Sequence, residues 1–197
     1  MFPITTTIRY CRNISRGIIS AVKEKKVQLL IMGWHGEKKK PLFKIGSTID
    51  PVIARAPCDI IILKDCVNKK FNKILVTIFG NENDAFALET ASQFNENGDI
   101  TAVCLNNSVN KKYVENIIKK AELTLNIKII KTNNQDAVKE VLTISKGFDL
   151  VVLGIKEIHL QRFHRVTPEE TIAQNCKKPL VMVKVSKGFL SWAKKII

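Results

Sequence analysis

A chain of 197 residues with 45% hydrophobic and 25% charged residues has the composition of an ordinary globular protein, which excludes disordered, collagen-like and coiled-coil readings. No run approaches the roughly 18 uninterrupted apolar residues of a membrane span, and the stretch from Met1 to Thr7 lacks the charged start and apolar core of a signal peptide, so a cytoplasmic chain is expected. The net charge of +14 favours phosphate-bearing ligands, nucleic acid or an anionic surface without choosing among them.

Taken in chain order, Ile4 to Tyr10 is the first candidate strand, followed by a helical stretch from about Asn13 to Lys25. Val27-Gln-Leu-Leu-Ile-Met-Gly33 is a short apolar run closed by glycine, a helix is expected from about Thr48, and Asp59 to Lys64 is a further apolar run. Asp65 to Asn72 is polar and reads as a linker. Beyond it the strand candidates are Ile74 to Phe79, Ile100 to Leu105, Ile127 to Lys131, Leu150 to Leu153 and Leu180 to Val183. Helical periodicity lies between them, at Ala85, Leu88 and Ala91 and at Val114, Ile117, Ile118 and Ala121. Non-alternating runs rich in Ile and Val mark strands with helices on both faces.

An internal repeat organises these elements. Val27 to Gly33 matches Phe148-Asp-Leu-Val-Val-Leu-Gly154 at an offset of about 121 residues, and each run is followed by a second, Asp59 to Lys64 and Pro179 to Lys184. The expected fold class is α/β, a doubly wound parallel sheet of Rossmann-like type, in tandem copies of which the first is incomplete. Residues 1–66 hold the C-terminal part of a first unit lacking its first two strands, 70–185 a complete second unit, and 186–197 a tail with large apolar residues and two lysines that suits a membrane face, a partner or its own domain.

Chemistry concentrates after the first glycine-closed run. Gly33, Gly36 and Gly46-Ser47 lie between a strand end and a helix start, where backbone amides approach phosphate oxygens without a Cβ in the way and the helix dipole adds favourable field. The spacing is neither that of a Walker loop nor Gly-x-Gly-x-x-Gly. Ser47-Thr-Ile-Asp50 also reads as a capping box. Lys38, Lys39 and Lys40 lie between the glycines, where solvated loop lysines are the default. His35 has no evident Ser, Cys or carboxylate partner for catalysis. The cysteines Cys11, Cys58, Cys66, Cys104 and Cys176 show no Cys-x-x-Cys and no ligand spacing to histidine, which reads as reduced, mostly buried thiols and no metal.

Gly33, two residues, Gly36, nine residues, then Gly46-Ser47 resembles the nucleotide-binding signature of the universal stress protein family, and Ala56-Pro57-Cys58-Asp59 resembles that family's last helix-to-strand junction. The resemblance implies an adenine-nucleotide α-hydrolase-like sheet, frequently dimeric through its last strands, with ATP or AMP (with or without Mg) held by Gly33, His35, Gly36, Gly46, Ser47 and Thr48. Met-Gly-Trp-His-Gly and the run from Gly46 to Asp59 are similar to stress-protein domains fused behind amino acid, polyamine and organocation permeases. That similarity implies a regulatory rather than an enzymatic module, associated with a transporter or an upstream segment. A nucleotide-free dimerisation module is the alternative, and nucleic acid rests on charge alone.

Three departures point to a structural second unit. The family's aspartate after the first strand is replaced by Phe79. The loop after Gly154 has Glu157 where the first has Gly36, with His159, Arg162, His164 and Arg165 making it basic. Thr167-Pro168-Glu169-Glu170 reads as a self-capped helix start whose carboxylates repel phosphate. Pairing of Asp59 to Leu63 with Leu180 to Val183 is the most economical way for the two units to meet.

Overall fold

The computed structural model describes residues 4–35, 45–66, 70–105, 109, 111–120, 127–131, 136–156 and 167–186. The first unit contributes α1 (Ile14–Glu24), β1 (Leu29–Trp34), α2 (Ile49–Arg55) and β2 (Asp59–Lys64). The second contributes β3 (Phe71–Ile78), α3 (Asp84–Phe94), β4 (Asn95–Cys104), α4 (Lys111–Lys120), β5 (Ile127–Lys131), α5 (Ala137–Ile144), β6 (Leu150–Gly154), α6 (Pro168–Asn175) and β7 (Leu180–Lys184). Asn13 caps α1, its side chain accepting from the Arg16 amide and so satisfying one orphan N–H of the first turn.

All seven strands form one sheet in the order β1-β2-β7-β6-β3-β4-β5. Every neighbouring pair is parallel except β2 and β7. The second unit is thus a complete doubly wound sheet with its first strand, β3, between β4 and β6. The expected pairing of last strands is observed, with Ile60 opposite Lys184 and Lys64 opposite Leu180. The core lies in two layers, α1, α2, α5 and α6 covering one face and α3 and α4 the other. Strands covered on both sides have no solvent face, which is why β6 and β7 are buried at every position and read as continuous apolar runs.

The seam between units has approximate two-fold character. Lys64 Nζ donates to the carbonyls of Cys176 (2.8 Å) and Ala173 (3.3 Å) at the end of α6, and its counterpart Lys184 donates to that of Ile53 (2.6 Å) near the end of α2. Each ammonium thereby answers the free carbonyls and partial negative charge of the other unit's helix C-terminus. Asp59 adds a bond that its counterpart Pro179 cannot make, accepting from the Ser186 amide at 2.6 Å.

The expected strand from Ile4 to Tyr10 is not formed. The segment carries no strand or helix, and Ile4, Ile8 and Tyr10 are 93%, 82% and 100% exposed. The second unit supplies the reason: its third strand, β5, pairs only with β4, and the first unit has no counterpart of β4, so the segment's backbone has no ladder to join. The thiols follow expectation at Cys58, Cys104 and Cys176, which are buried, whereas Cys66 is half-buried and Cys11 is exposed.

Candidate functional site

The first unit's loop leaves the sheet from β1. Gly33 is still in register, opposite Leu63, and no atom of the described residues lies within 4 Å of the position a Cβ would take. Trp34 turns into the core, only 5% exposed, with Lys64 Nζ 5.2 Å from its ring centroid, a cation–π distance. Its indole Nε1 is buried and has no hydrogen-bond partner among the described residues. His35 follows, exposed. Gly36, with Lys38, Lys39 and Lys40, lies outside the described residues.

Where the chain resumes, Ile45 and Gly46 are buried while Ser47 and Thr48 are half-buried. The capping box expected at Ser47 is replaced by another device. Thr48 occupies the N-cap position of α2 without a side-chain cap bond, and Asp50 Oδ1 reaches back to accept from the amides of Ile45 (3.0 Å) and Gly46 (3.2 Å). A single carboxylate oxygen, one residue into the helix, thus takes both amides. The Gly46 N–H of the expected phosphate cradle and the adjoining Ile45 N–H therefore already face an anionic oxygen supplied by the chain itself.

The second unit repeats this device and extends it. Asp84, at the first position of α3, accepts from the amides of Phe79 (3.1 Å), Gly80 (2.7 Å) and Asn81 (2.9 Å) and from the Tyr113 hydroxyl (3.1 Å). Burial pushes its carboxyl up, against the opposing pull of these donors; burial and the facing carboxylate also push the Tyr113 hydroxyl up. Gly80 has φ +78°, which suits glycine in the turn that turns three successive amides inward. Asn83 then bridges strand ends, donating from Nδ2 to the Ile155 carbonyl (3.0 Å) and accepting at Oδ1 from the Val185 amide (2.8 Å). Asn83 lies directly on Gly154, where an added Cβ would meet Asn83 Cβ at 2.6 Å. Asn83 thus fills above Gly154 a space that no described residue fills above Gly33.

The helix start expected to be self-capped is so: Thr167 Oγ1 accepts from the Glu170 amide and the Thr167 amide donates to Glu170 Oε2. Beside it is a feature the sequence did not announce, a cleft of about 390 Å³ lined by Phe79, Leu105, Val138, Lys156, Asp136 and Glu169 among others. It lies at the carboxyl ends of β3, β4 and β6, the crevice at which strand order reverses. Asp136 is held there as the cap of α5, accepting from the Lys139 amide at 3.2 Å. Among the described lining residues one lysine stands with two carboxylates. The only sequence signal for Asn83 and Asp84 is a dense polar turn, Gly80-Asn81-Glu82-Asn83-Asp84, whose acceptors suit helix starts generally. Among the described residues no cluster of His, Cys, Asp and Glu could hold a metal ion.

Known proteins resemble this chain in two ways. The universal stress protein family profile matches residues 2–64. A Na(+)/H(+) antiporter, NhaS5 of Synechocystis sp., is 28% identical over 159 residues, covering 74% of this chain and 23% of the antiporter, so the chain spans about a quarter of that relative's length. Among solved structures, a universal stress protein from Archaeoglobus fulgidus superposes with a TM-score of 0.62 at 17% identity, over 86% of this chain and 66% of that one. A putative universal stress protein from Pseudomonas aeruginosa gives 0.59 at 15% identity, over 88% and 69%. At such identities the structural likeness establishes the fold.

Proposed function

From a chain whose residues 2–64 fall in the universal stress protein family and whose sheet has that family's fold, we infer a regulatory module that binds an adenine nucleotide, ATP or AMP with or without Mg, at the first unit's glycine loop. The observation that carries this reading is the contrast between Gly33 and Gly154. No described residue stands over the first, and Asn83 fills the second. Phosphate oxygens over Gly33 would lie close to a strand-end backbone with no Cβ to displace them. His35, Gly36, Gly46, Ser47 and Thr48 complete the proposed cradle. The Asp50 carboxylate already on the Ile45 and Gly46 amides marks these donors as a place where negative oxygen is accepted, and it would have to yield to a phosphate or share the amides with it.

The similarity to an antiporter supports a place beside a transporter, on its cytoplasmic side, where nucleotide occupancy would alter transport. No helix among the described residues is long and apolar enough to cross a membrane. Nothing in the proposal requires hydrolysis.

A second reading, a nucleotide-free interaction module, is favoured by one observation: Asp50 already satisfies the Gly46 amide of the cradle, and the Ile45 amide beside it, internally. Isothermal titration of the full chain with ATP, ADP and AMP, with and without Mg, separates the two. The nucleotide reading expects saturable heat that Gly33→Asp abolishes, with an unchanged circular dichroism spectrum because the new side chain meets none of the described residues. An unchanged affinity in Gly33→Asp removes the cradle; no heat with any of the three nucleotides leaves the interaction module.

A further inference from the structure

Helices α2 and α6 are counterparts and end alike. The Ala56 amide donates to the Val52 carbonyl and the Cys176 amide to that of Ile172, both at 2.8 Å. Aligned from these ends, Asp50 corresponds to Glu170 and Ile49 to Glu169. Both members of the second pair are buried, Ile49 at 5% exposure and Glu169 at 3%, and Ile49 belongs to the apolar core. The same place in the fold thus holds an aliphatic side chain in one unit and a carboxylate in the other, so the fold does not itself call for the charge.

Among the described residues the Glu169 side chain has no hydrogen-bond or ion-pair partner, whereas Glu170 accepts from the Thr167 amide and completes the cap. Burying a carboxylate without a partner is costly. The dipole of α6 favours an acidic residue in the first turn, which accounts for the residue type at an exposed helix start and not for its burial. Glu169 lines the cleft of about 390 Å³, a volume within the roughly 300–1,000 Å³ of small-molecule sites. Phe79, Leu105 and Val138 line it too, each half-buried and packed against the core. Asp136 adds a second carboxylate, one oxygen of which accepts from the Lys139 amide, and Lys156 adds an exposed ammonium.

We propose that this cleft binds a small organic ammonium on an apolar body, with Glu169 and Asp136 accepting from the ammonium and the body lying against Phe79, Leu105 and Val138. An ammonium offers several N–H donors and no acceptor, which suits a pair of carboxylates. Charge-assisted hydrogen bonds gain strength where water is kept out, and Glu169 is the better shielded of the two acceptors. The apolar wall contributes affinity only if the cation carries carbon, which sets an organic amine apart from an inorganic ion. Two sources share this chemistry, a simple amine and an α-amino acid, whose carboxylate would meet Lys156. The site belongs to the second unit and stands whatever the first unit's glycine loop binds.

The test is a titration of the isotope-labelled full chain with phenethylamine, phenylalanine and phenylpropionate, read by backbone amide NMR shifts. The proposal expects saturable shifts from the two ammonium probes at Phe79, Leu105, Val138 and Glu169. Phenylpropionate, which keeps the body and lacks the ammonium, should bind weaker by roughly tenfold or more. Phenylalanine bound more tightly than phenethylamine, with the advantage lost in Lys156→Met, identifies an α-amino acid; no such advantage identifies a simple amine. Glu169→Gln and Glu169→Ile should each weaken both ammonium probes by roughly tenfold or more, and Glu169→Ile, which matches Ile49, should melt at or above wild type. Four results would each overturn the proposal: no saturable shifts with either ammonium probe, phenylpropionate bound as tightly as phenethylamine, unchanged affinity in Glu169→Gln, or AMP that shifts the same amides and displaces phenethylamine.

Discussion

Replacing Gly33 and Gly154 each by alanine tests the difference between the two strand ends on equivalent residues. At Gly154 the added Cβ would stand 2.6 Å from Asn83 Cβ and 3.2 Å from the Asn83 carbonyl carbon and oxygen. Two of these three atoms are backbone, and Asn83 is pinned by bonds to Ile155 and Val185, so there is no flexible end to swing away. Overpacking of this kind costs about 1–3 kcal/mol, offset by the roughly 0.5–1 kcal/mol that alanine gains over glycine within a strand, leaving a net loss of up to about 2.5 kcal/mol. At Gly33 there is no atom to meet among the described residues, so only the favourable backbone contribution remains. For a chain of this size 1 kcal/mol moves Tm by about 2–4 °C. Gly154→Ala should therefore melt up to roughly 10 °C below wild type, and Gly33→Ala at or slightly above it. Thermal melts with urea titrations at constant slope check both. Equal behaviour of the two variants would refute the claim that Asn83 fills one strand end and that the other is open.

The seam lysines should differ in the same assays: Lys184→Met removes a buried charged hydrogen bond and is expected to cost about 1.5–3 kcal/mol, while Lys64→Met, half-buried, costs less. Burial, and secondarily the charge of Asp59, hold the Glu89 carboxyl above its ordinary value. The native state therefore holds this proton more tightly than the unfolded chain does, and the stability it confers is complete below the ordinary glutamate range and lost as pH rises through the raised value. Glu89→Gln should accordingly raise the urea midpoint at neutral pH and leave it unchanged near pH 3, and a drop at neutral pH would contradict the electrostatic argument. Among the thiols, burial pushes Cys58 up to about 11 and Cys11 is exposed. Iodoacetamide on the native chain should alkylate Cys11 well before Cys58, Cys104 or Cys176, as read by peptide mass mapping.

Legibility in the sequence follows how local each determinant is. Strands covered on both faces announce themselves because every side chain must be apolar, and the expected runs for β5, β6 and β7 match the observed strands to within a residue. The Thr167 box is written in four consecutive residues and is observed as read. Ile4 to Tyr10 has strand-like residues but no neighbour, and a strand is a property of pairing that no single segment contains. The Asp50 and Asp84 bonds were missed for a related reason. A carboxylate that folds back on the preceding loop has the same residue type and position as one that merely favours a helix N-terminus, and only the loop's path distinguishes them. Asn83 is long-range in both its bonds, which reach Ile155 and Val185.

The antiparallel junction of β2 and β7 has a consequence for how such a module responds to dilution. Two separate subunits meeting through last strands would part as their concentration falls, and would exchange with any other chain offering a similar edge. Here both edges belong to one polypeptide, joined through the short stretch between Lys64 and Phe71, so each strand meets the other at an effective concentration on the order of millimolar whatever the amount of protein in the cell. Ligand occupancy in one unit would thus be passed to a neighbour that is always the same and always present, and free single-unit relatives could not compete for the seam.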